Sequence, residues 1–122
     1  MKRILLVDDE KDTAAVFQTA LTGAGYEVFV APDGKTATDL IAKEHFDGIL
    51  LDQMLPDAHG NEILKGIKAN EATKNIPVAM LTNFGDDKMI KEALNTGAQD
   101  YILKYQVSTD DLIVKVKTLV GQ

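Results

Sequence analysis

Five short apolar runs punctuate this chain, and a longer amphipathic stretch follows each one. The runs are Ile4–Val7, Val28–Val30, Ile49–Leu51, Val78–Leu81 and Tyr101–Leu103. Three of them are continuously apolar and rich in Val, Ile and Leu, which is the composition of strands covered on both faces. Between the runs the apolar residues change to helical spacing. Phe17, Ala20, Leu21 and Ala24 fall at i, i+3, i+4 and i+7, and Met89, Ile90, Ala93, Leu94 and Gly97 repeat the pattern with one doubled position. Ile63, Leu64 and Ile67 form a shorter stripe, and Leu112, Ile113, Val116, Leu119 and Val120 form the last. Punctuation agrees with this reading. Asp33 stands where the second helix needs an N-cap, and Ser108 with Asp111 resembles a capping box. Gly23 and Gly25 close the first helix and Gly97 the fourth. Gly66 lies inside the third, where glycine costs about 1 kcal/mol relative to alanine.

Strict strand–helix alternation predicts an α/β fold with a parallel sheet and helices on both faces. Five repeats favour a flavodoxin-like (βα)5 three-layer sandwich with strand order 2-1-3-4-5. Its switch point lies between the first and third strands. The 122 residues fit one domain over 1–122, with no internal repeat, linker or low-complexity tract.

Composition narrows the chemistry. There are no cysteines, which excludes disulfides and thiolate metal sites and fits a reducing compartment. Thirteen basic and nineteen acidic residues give a net charge of −6, and such a surface repels a phosphate backbone. Direct nucleic-acid binding by this domain is therefore not expected. The apolar run Ile4–Val7 is too short for a signal peptide and is cut off by Asp8 and Asp9, and no run reaches membrane length. The expectation is a cytoplasmic domain with no membrane partner.

In a sheet of this kind sites form beyond the carboxyl ends of the strands. The first strand ends in Asp8-Asp9-Glu10, the third in Asp52, the fourth in Thr82 and the fifth in Lys104. The second, the expected edge strand, ends in Ala31-Pro32 and offers nothing reactive. Several carboxylates in one pocket repel one another unless some are protonated or a cation sits among them. Carboxylate oxygens without Cys or a nearby His suit Mg²⁺. A carboxylate at the pocket floor is then a candidate nucleophile toward phosphorus, and Lys104 and the Thr82 hydroxyl are candidate partners for phosphoryl oxygens. Acyl transfer is disfavoured, because no Ser-His or Cys-His pair exists.

These residues carry a family resemblance. Leu5-Leu6-Val7-Asp8-Asp9-Glu10, Leu51-Asp52-Gln53-Met54-Leu55-Pro56-Asp57 with Gly60, Leu81-Thr82, and Gly97-Ala98 with Asp100-Tyr101 and Lys104 are similar to the receiver domains of two-component response regulators. The single-domain chemotaxis-type regulators are the nearest in kind. The likeness runs from Lys2 to about Val120. It implies that Asp52 is the phospho-acceptor. It also implies that Asp9, Asp52 and the backbone carbonyl of Met54 bind Mg²⁺, with Asp8 placing a metal-bound water. Thr82 would move toward the phosphoryl group, Lys104 would pair with it, and Tyr101 would be the switch aromatic that turns inward. The implied donor is a histidine kinase or a histidine phosphotransfer protein. The implied output face is the fourth helix, fifth strand and fifth helix, engaging a downstream protein target or a second copy in a homodimer. Such a domain catalyses only its own phosphorylation and dephosphorylation, and in that sense is not an enzyme.

Two positions depart from the family pattern. Tyr105 follows Lys104 where a proline is usual, and a cis bond without proline costs roughly 2.5–4 kcal/mol, so a trans peptide is expected. Asn83 follows Thr82 where a small residue is usual, and is expected to cover part of the pocket and alter the access of water. These departures keep open a degenerate receiver acting as a phosphorylation-independent scaffold. A small phosphatase with an aspartyl nucleophile is a third reading. It is disfavoured by Asp8-Asp9-Glu10 in place of Asp-x-Asp and by the lack of a cap insertion. A flavin-binding flavodoxin is disfavoured by the acidic loop after the first strand. His45 and His59 read as surface residues, and Met54 and Met80 as packing or backbone contributors.

Overall fold

A computed structural model describes residues 1–121. Strand β1 (Arg3–Val7) leads into α1 (Lys11–Gly23), and β2 (Glu27–Ala31) into α2 (Gly34–Lys43). Then follow β3 (Gly48–Leu51), α3 (Gly60–Ala69), β4 (Val78–Thr82), α4 (Asp87–Thr96), β5 (Asp100–Leu103) and α5 (Thr109–Val120). A single 3₁₀ turn, Lys104–Gln106, joins β5 to α5 and was not anticipated from the sequence. All strand pairs are parallel, in the order β2-β1-β3-β4-β5 expected above.

The side-chain alternation of β1 divides the core. Leu5 and Val7 face one way and pack with Ile49, Leu51, Val78 and Met80 beneath Ala37 of α2, Leu64 and Ile67 of α3 and Ala93 of α4. Ile4 and Leu6 face the other way and join Leu50, Ala79, Leu81 and Ile102 beneath Phe17 and Leu21 of α1 and Leu112 and Val116 of α5. The inner strands β1, β3 and β4 are buried on both faces at nearly every residue, which is why they read as unbroken apolar runs. The edge strand β2 is only partly covered.

The caps follow local chemistry. Asp33 accepts the Thr36 N–H at 2.7 Å and Ser108 accepts the Asp111 N–H at 3.0 Å, so half of the expected capping box forms. Asp86 caps α4 in the same way through the Met89 N–H. Gly97 closes α4 with φ of 123°, a left-sided conformation that glycine adopts without steric cost. Every peptide among the described residues is trans, including that between Lys104 and Tyr105.

Candidate functional site

Both β1 and β3 continue their pairing for one residue past their assigned ends. The Asp8 N–H donates to the Ala31 carbonyl at 2.9 Å, and the Asp52 N–H donates to the Val7 carbonyl at 3.0 Å. Strand geometry thus persists through the first acidic residue of each loop, and both carboxylates enter the crevice at the switch point. They are almost fully buried, Asp8 at 2% and Asp52 at 3% exposure. Asp9, one residue on, is exposed.

Lys104 closes the pocket from the end of β5. Its Nζ donates to Asp8 Oδ1 at 2.9 Å, to Glu10 Oε1 at 2.8 Å and to Asp52 Oδ2 at 3.0 Å. The ammonium has three protons, and these three acceptors use all of them. Burial alone pushes Lys104 toward its neutral form, but the hydrogen bonds to Glu10, Asp8 and Asp52 outweigh burial and hold it above the ordinary lysine range. Asp8 goes the other way for an acid. Burial raises its carboxyl above the usual value, and the Glu10 N–H and Lys104 offset only part of that rise. The asymmetry is physical: one cation serves three carboxylates, and Asp8 also feels the charge of Asp52.

The pocket has the donor set for a further cation. Oxygens of Asp8, Glu10 and Asp52 lie within 4.8 Å of one another. Asp8 Oδ2 is buried with no hydrogen-bond partner, a costly state for a carboxylate oxygen. Hard oxygen ligands with no sulfur or imidazole suit Mg²⁺ or Mn²⁺, so the residues fit such an ion. The trio differs from the set implied by resemblance, because Glu10 stands in it and Asp9 stands outside. Met54 is next to the pocket, its N–H directed at Asp52 Oδ1 over a long 3.4 Å.

The remaining candidates frame this centre. Thr82 is wholly buried, and its hydroxyl accepts the Phe84 N–H at 3.2 Å. Asn83 is exposed at the pocket mouth and donates to Glu10 Oε1 at 3.2 Å. Tyr101 is half-buried, with its hydroxyl donating to the Phe84 carbonyl and accepting from Gln53 Nε2 at 3.3 Å. Tyr105 is 68% exposed. His59 is exposed at the start of α3, and His45 pairs with Asp47 just before the amino end of β3.

Two residues were not singled out from sequence. Glu10 stands in the acidic run after β1 with no signal of its own. Its place on Lys104 depends on a reach that spacing alone does not show. Gln53 follows Asp52 in a loop, and nothing in its local sequence marks it as buried.

A doubly wound parallel sheet with a lysine-bridged acidic pocket at its switch point defines a receiver-type α/β protein. The family model for the response regulator receiver domain matches residues 4–117, and the chain belongs to that family. It is 38% identical over 118 residues to the phosphate regulon transcriptional regulatory protein PhoB of Pseudomonas aeruginosa, covering 97% of this chain and 51% of that protein. The chain thus spans about half the length of that relative. A solved CheY-like receiver domain protein from Methanospirillum hungatei superposes with a TM-score of 0.91 at 33% identity, covering 99% of this chain and 94% of that one. The Mn²⁺-bound form of response regulator Rcp1 superposes with a TM-score of 0.82 at 28% identity, covering 99% and 91%.

Proposed function

We propose that this receiver domain is a phospho-switch that accepts a phosphoryl group on Asp52 from a phosphohistidine donor. The observation that carries the proposal is the three-way bond of Lys104 to Asp8, Glu10 and Asp52 in a buried pocket. A carboxylate so placed attacks phosphorus with one oxygen. The phosphorus–nitrogen bond of the donor breaks, and the imidazole leaves with a proton from solvent. Oδ2 of Asp52 is held by Lys104, which leaves Oδ1 the freer nucleophile. Lys104 then pairs with the transferred oxygens, and Thr82 supplies its hydroxyl once it releases the Phe84 N–H.

Asp8 and Asp52, with Glu10, Asp9 or the Met54 carbonyl completing the set, would hold Mg²⁺, which when bound would supply charge neutralisation for the phosphoryl oxygens. The manganese-bound relative supports a divalent cation in this fold. The donor is a histidine kinase or histidine phosphotransfer protein. The output is a shift of an existing equilibrium at the α4–β5–α5 face, read by a protein target or a second copy of the chain. The domain modifies itself and turns over no external substrate. No helix among the described residues is long and apolar enough to cross a membrane, and we read the domain as cytoplasmic.

The test is intact mass after incubation with Mg²⁺ and acetyl phosphate, with Asp52→Asn alongside. One acid-stable, base-labile phosphoryl group on the wild type alone is expected. No uptake from acetyl phosphate or from a promiscuous kinase would favour a phosphorylation-independent scaffold.

A further inference from the structure

The residue next to Asp52 is a glutamine buried to 1% exposure. A buried primary amide is costly unless its groups are paired, and both polar atoms of this one are. Gln53 Oε1 accepts the backbone N–H of Asn61 at 2.8 Å. Gln53 Nε2 donates to Asn61 Oδ1 at 2.9 Å and to the Tyr101 hydroxyl at 3.3 Å. Asn61 is itself buried, and its Nδ2 reaches the carbonyl of Met89 in the first turn of α4 over 3.4 Å. The Tyr101 hydroxyl passes its proton bond to the Phe84 carbonyl in the β4–α4 loop. Gln53 thus ties the end of β3 directly to α3 and β5, and through Asn61 and Tyr101 to α4 and the β4–α4 loop.

The same residue is fixed to the pocket through its backbone. The Gly60 N–H donates to the Gln53 carbonyl at 2.7 Å. A Cβ built on Gly60 would lie 2.3 Å from the Asp52 carbonyl oxygen and 2.9 Å from the Gln53 Cα. Packing this close transmits a displacement of Asp52 to Gln53 rather than absorbing it.

We propose that Gln53 is the positioning residue that holds Tyr101 and the first turn of α4 in their present arrangement, so that breaking its amide bonds releases the α4–β5 face. The two arms have different strengths. Both bonds to Asn61 are short, whereas the bonds to Tyr101 and from Asn61 to Met89 are long and are the ones that break first. The lock is a property of the resting protein. Its use in signalling rests on the phospho-switch reading above.

The test is amide hydrogen exchange and NMR of the full chain without Mg²⁺ or phosphodonor. Gln53→Met keeps length and volume and removes both polar atoms of the amide. It is expected to speed exchange at Ile90–Leu94 about five-fold, the loss of roughly one net hydrogen bond. It should also shift the Tyr101 ring signals while leaving α1 unchanged. In a Tyr101→Phe background, where that arm is already cut, Gln53→Met should have no further effect on the Phe84–Asp86 loop. Acceleration spread evenly over all helices, changes confined to residues 52–61, or additive effects on the Phe84–Asp86 loop in the double variant would each overturn the proposal. Should Gln53→Met not fold, Asn61→Asp carries the test. It keeps an acceptor for Gln53 Nε2 and removes the donor to Met89, so α4 must loosen while Tyr101 stays, and an unchanged α4 refutes the lock. Phosphoryl uptake is measured separately by mass. A wild type that takes up none ends the phospho-switch reading and leaves the exchange result standing.

Discussion

Lys104 Nζ and Asp52 Oδ2 lie 3.0 Å apart in the buried pocket, although 52 residues separate them in the chain. Each comes from the carboxyl end of a different strand, and neither strand is the other's neighbour, since β4 lies between β3 and β5. The lysine side chain spans that gap, and its charge makes the burial of Asp8 and Asp52 tolerable.

Lys104→Met should therefore leave two buried carboxylates without their cation. Removing one partner of a buried ion pair typically costs about 3–5 kcal/mol, and urea unfolding in the presence of EDTA should show a loss of about 3 kcal/mol. Added Mg²⁺ should restore part of it, because an ion that binds only the folded state stabilises by mass action. An unchanged midpoint in EDTA would mean that the carboxylates do not depend on the lysine.

Asp8→Asn should do the opposite. Asp8 Oδ1 already accepts two donors, from the Glu10 N–H and Lys104, and the Asn carbonyl can keep both. The orphaned Oδ2 becomes an uncharged amide group, and one negative charge leaves the cluster with Glu10 and Asp52. The metal-free variant should gain about 1 kcal/mol, roughly 3–5 °C in melting temperature for a chain of this size. The wild type should gain from Mg²⁺ what the variant no longer gains. A lower melting temperature in EDTA would count against the repulsion argument.

Asn83→Ala should free Glu10 on the solvent side, since the 3.2 Å bond to Asn83 Nδ2 is removed. Wider access of water to the pocket is expected to speed loss of the phosphoryl group from Asp52 about three-fold or more, roughly the value of one exposed hydrogen bond. An unchanged dephosphorylation rate would sink the covering role of Asn83.

The two glycines of α3 should respond oppositely. A Cβ at Gly60 meets the Asp52 carbonyl oxygen at 2.3 Å, so Gly60→Ala must move the backbone of the site itself and should cost about 1–3 kcal/mol or more. A Cβ at Gly66 meets nothing within 4 Å, and Gly66→Ala should stabilise α3 by up to about 1 kcal/mol. Thermal melts of both variants, run together, check the contrast.

At the amino ends of β1 and β3, Asp47 accepts the Arg3 N–H at 2.8 Å, and that bond holds its carboxyl below the usual range. A depressed folded pKa contributes stability that is full above the unfolded value and is lost as pH falls through the folded one. Asp47→Asn should cost about 1 kcal/mol at neutral pH, a charged hydrogen bond discounted for partial exposure. The difference from wild type should close as pH falls below the ordinary value of 3.8. A gap that persists there would show that the charge of Asp47 is not what matters.

Much of the fold was legible because its local signals are strong. Both faces of β1, β3 and β4 are buried, so their sequences are continuous apolar runs that no amphipathic helix would carry. The caps at Asp33 and Ser108 act within three residues and need no distant partner. The 3₁₀ turn at Lys104–Gln106 was not legible, because its residues have no turn signature.

By itself the sequence determined the repeat of strand and helix and the identity of the residues at each strand end, and it favoured the order of the sheet. It did so because hydrophobic periodicity and strand-end position are local properties. Only the tertiary structure decided which of those residues meet. Asp8 and Asp9 are equivalent as letters, but the strand pairing that persists through Asp8 buries the first and leaves the second in water. Glu10 joins Lys104 across 94 residues, and Gln53 joins Tyr101 across 48. Those pairings depend on three-dimensional reach and on burial without water, neither of which any stretch of sequence encodes locally.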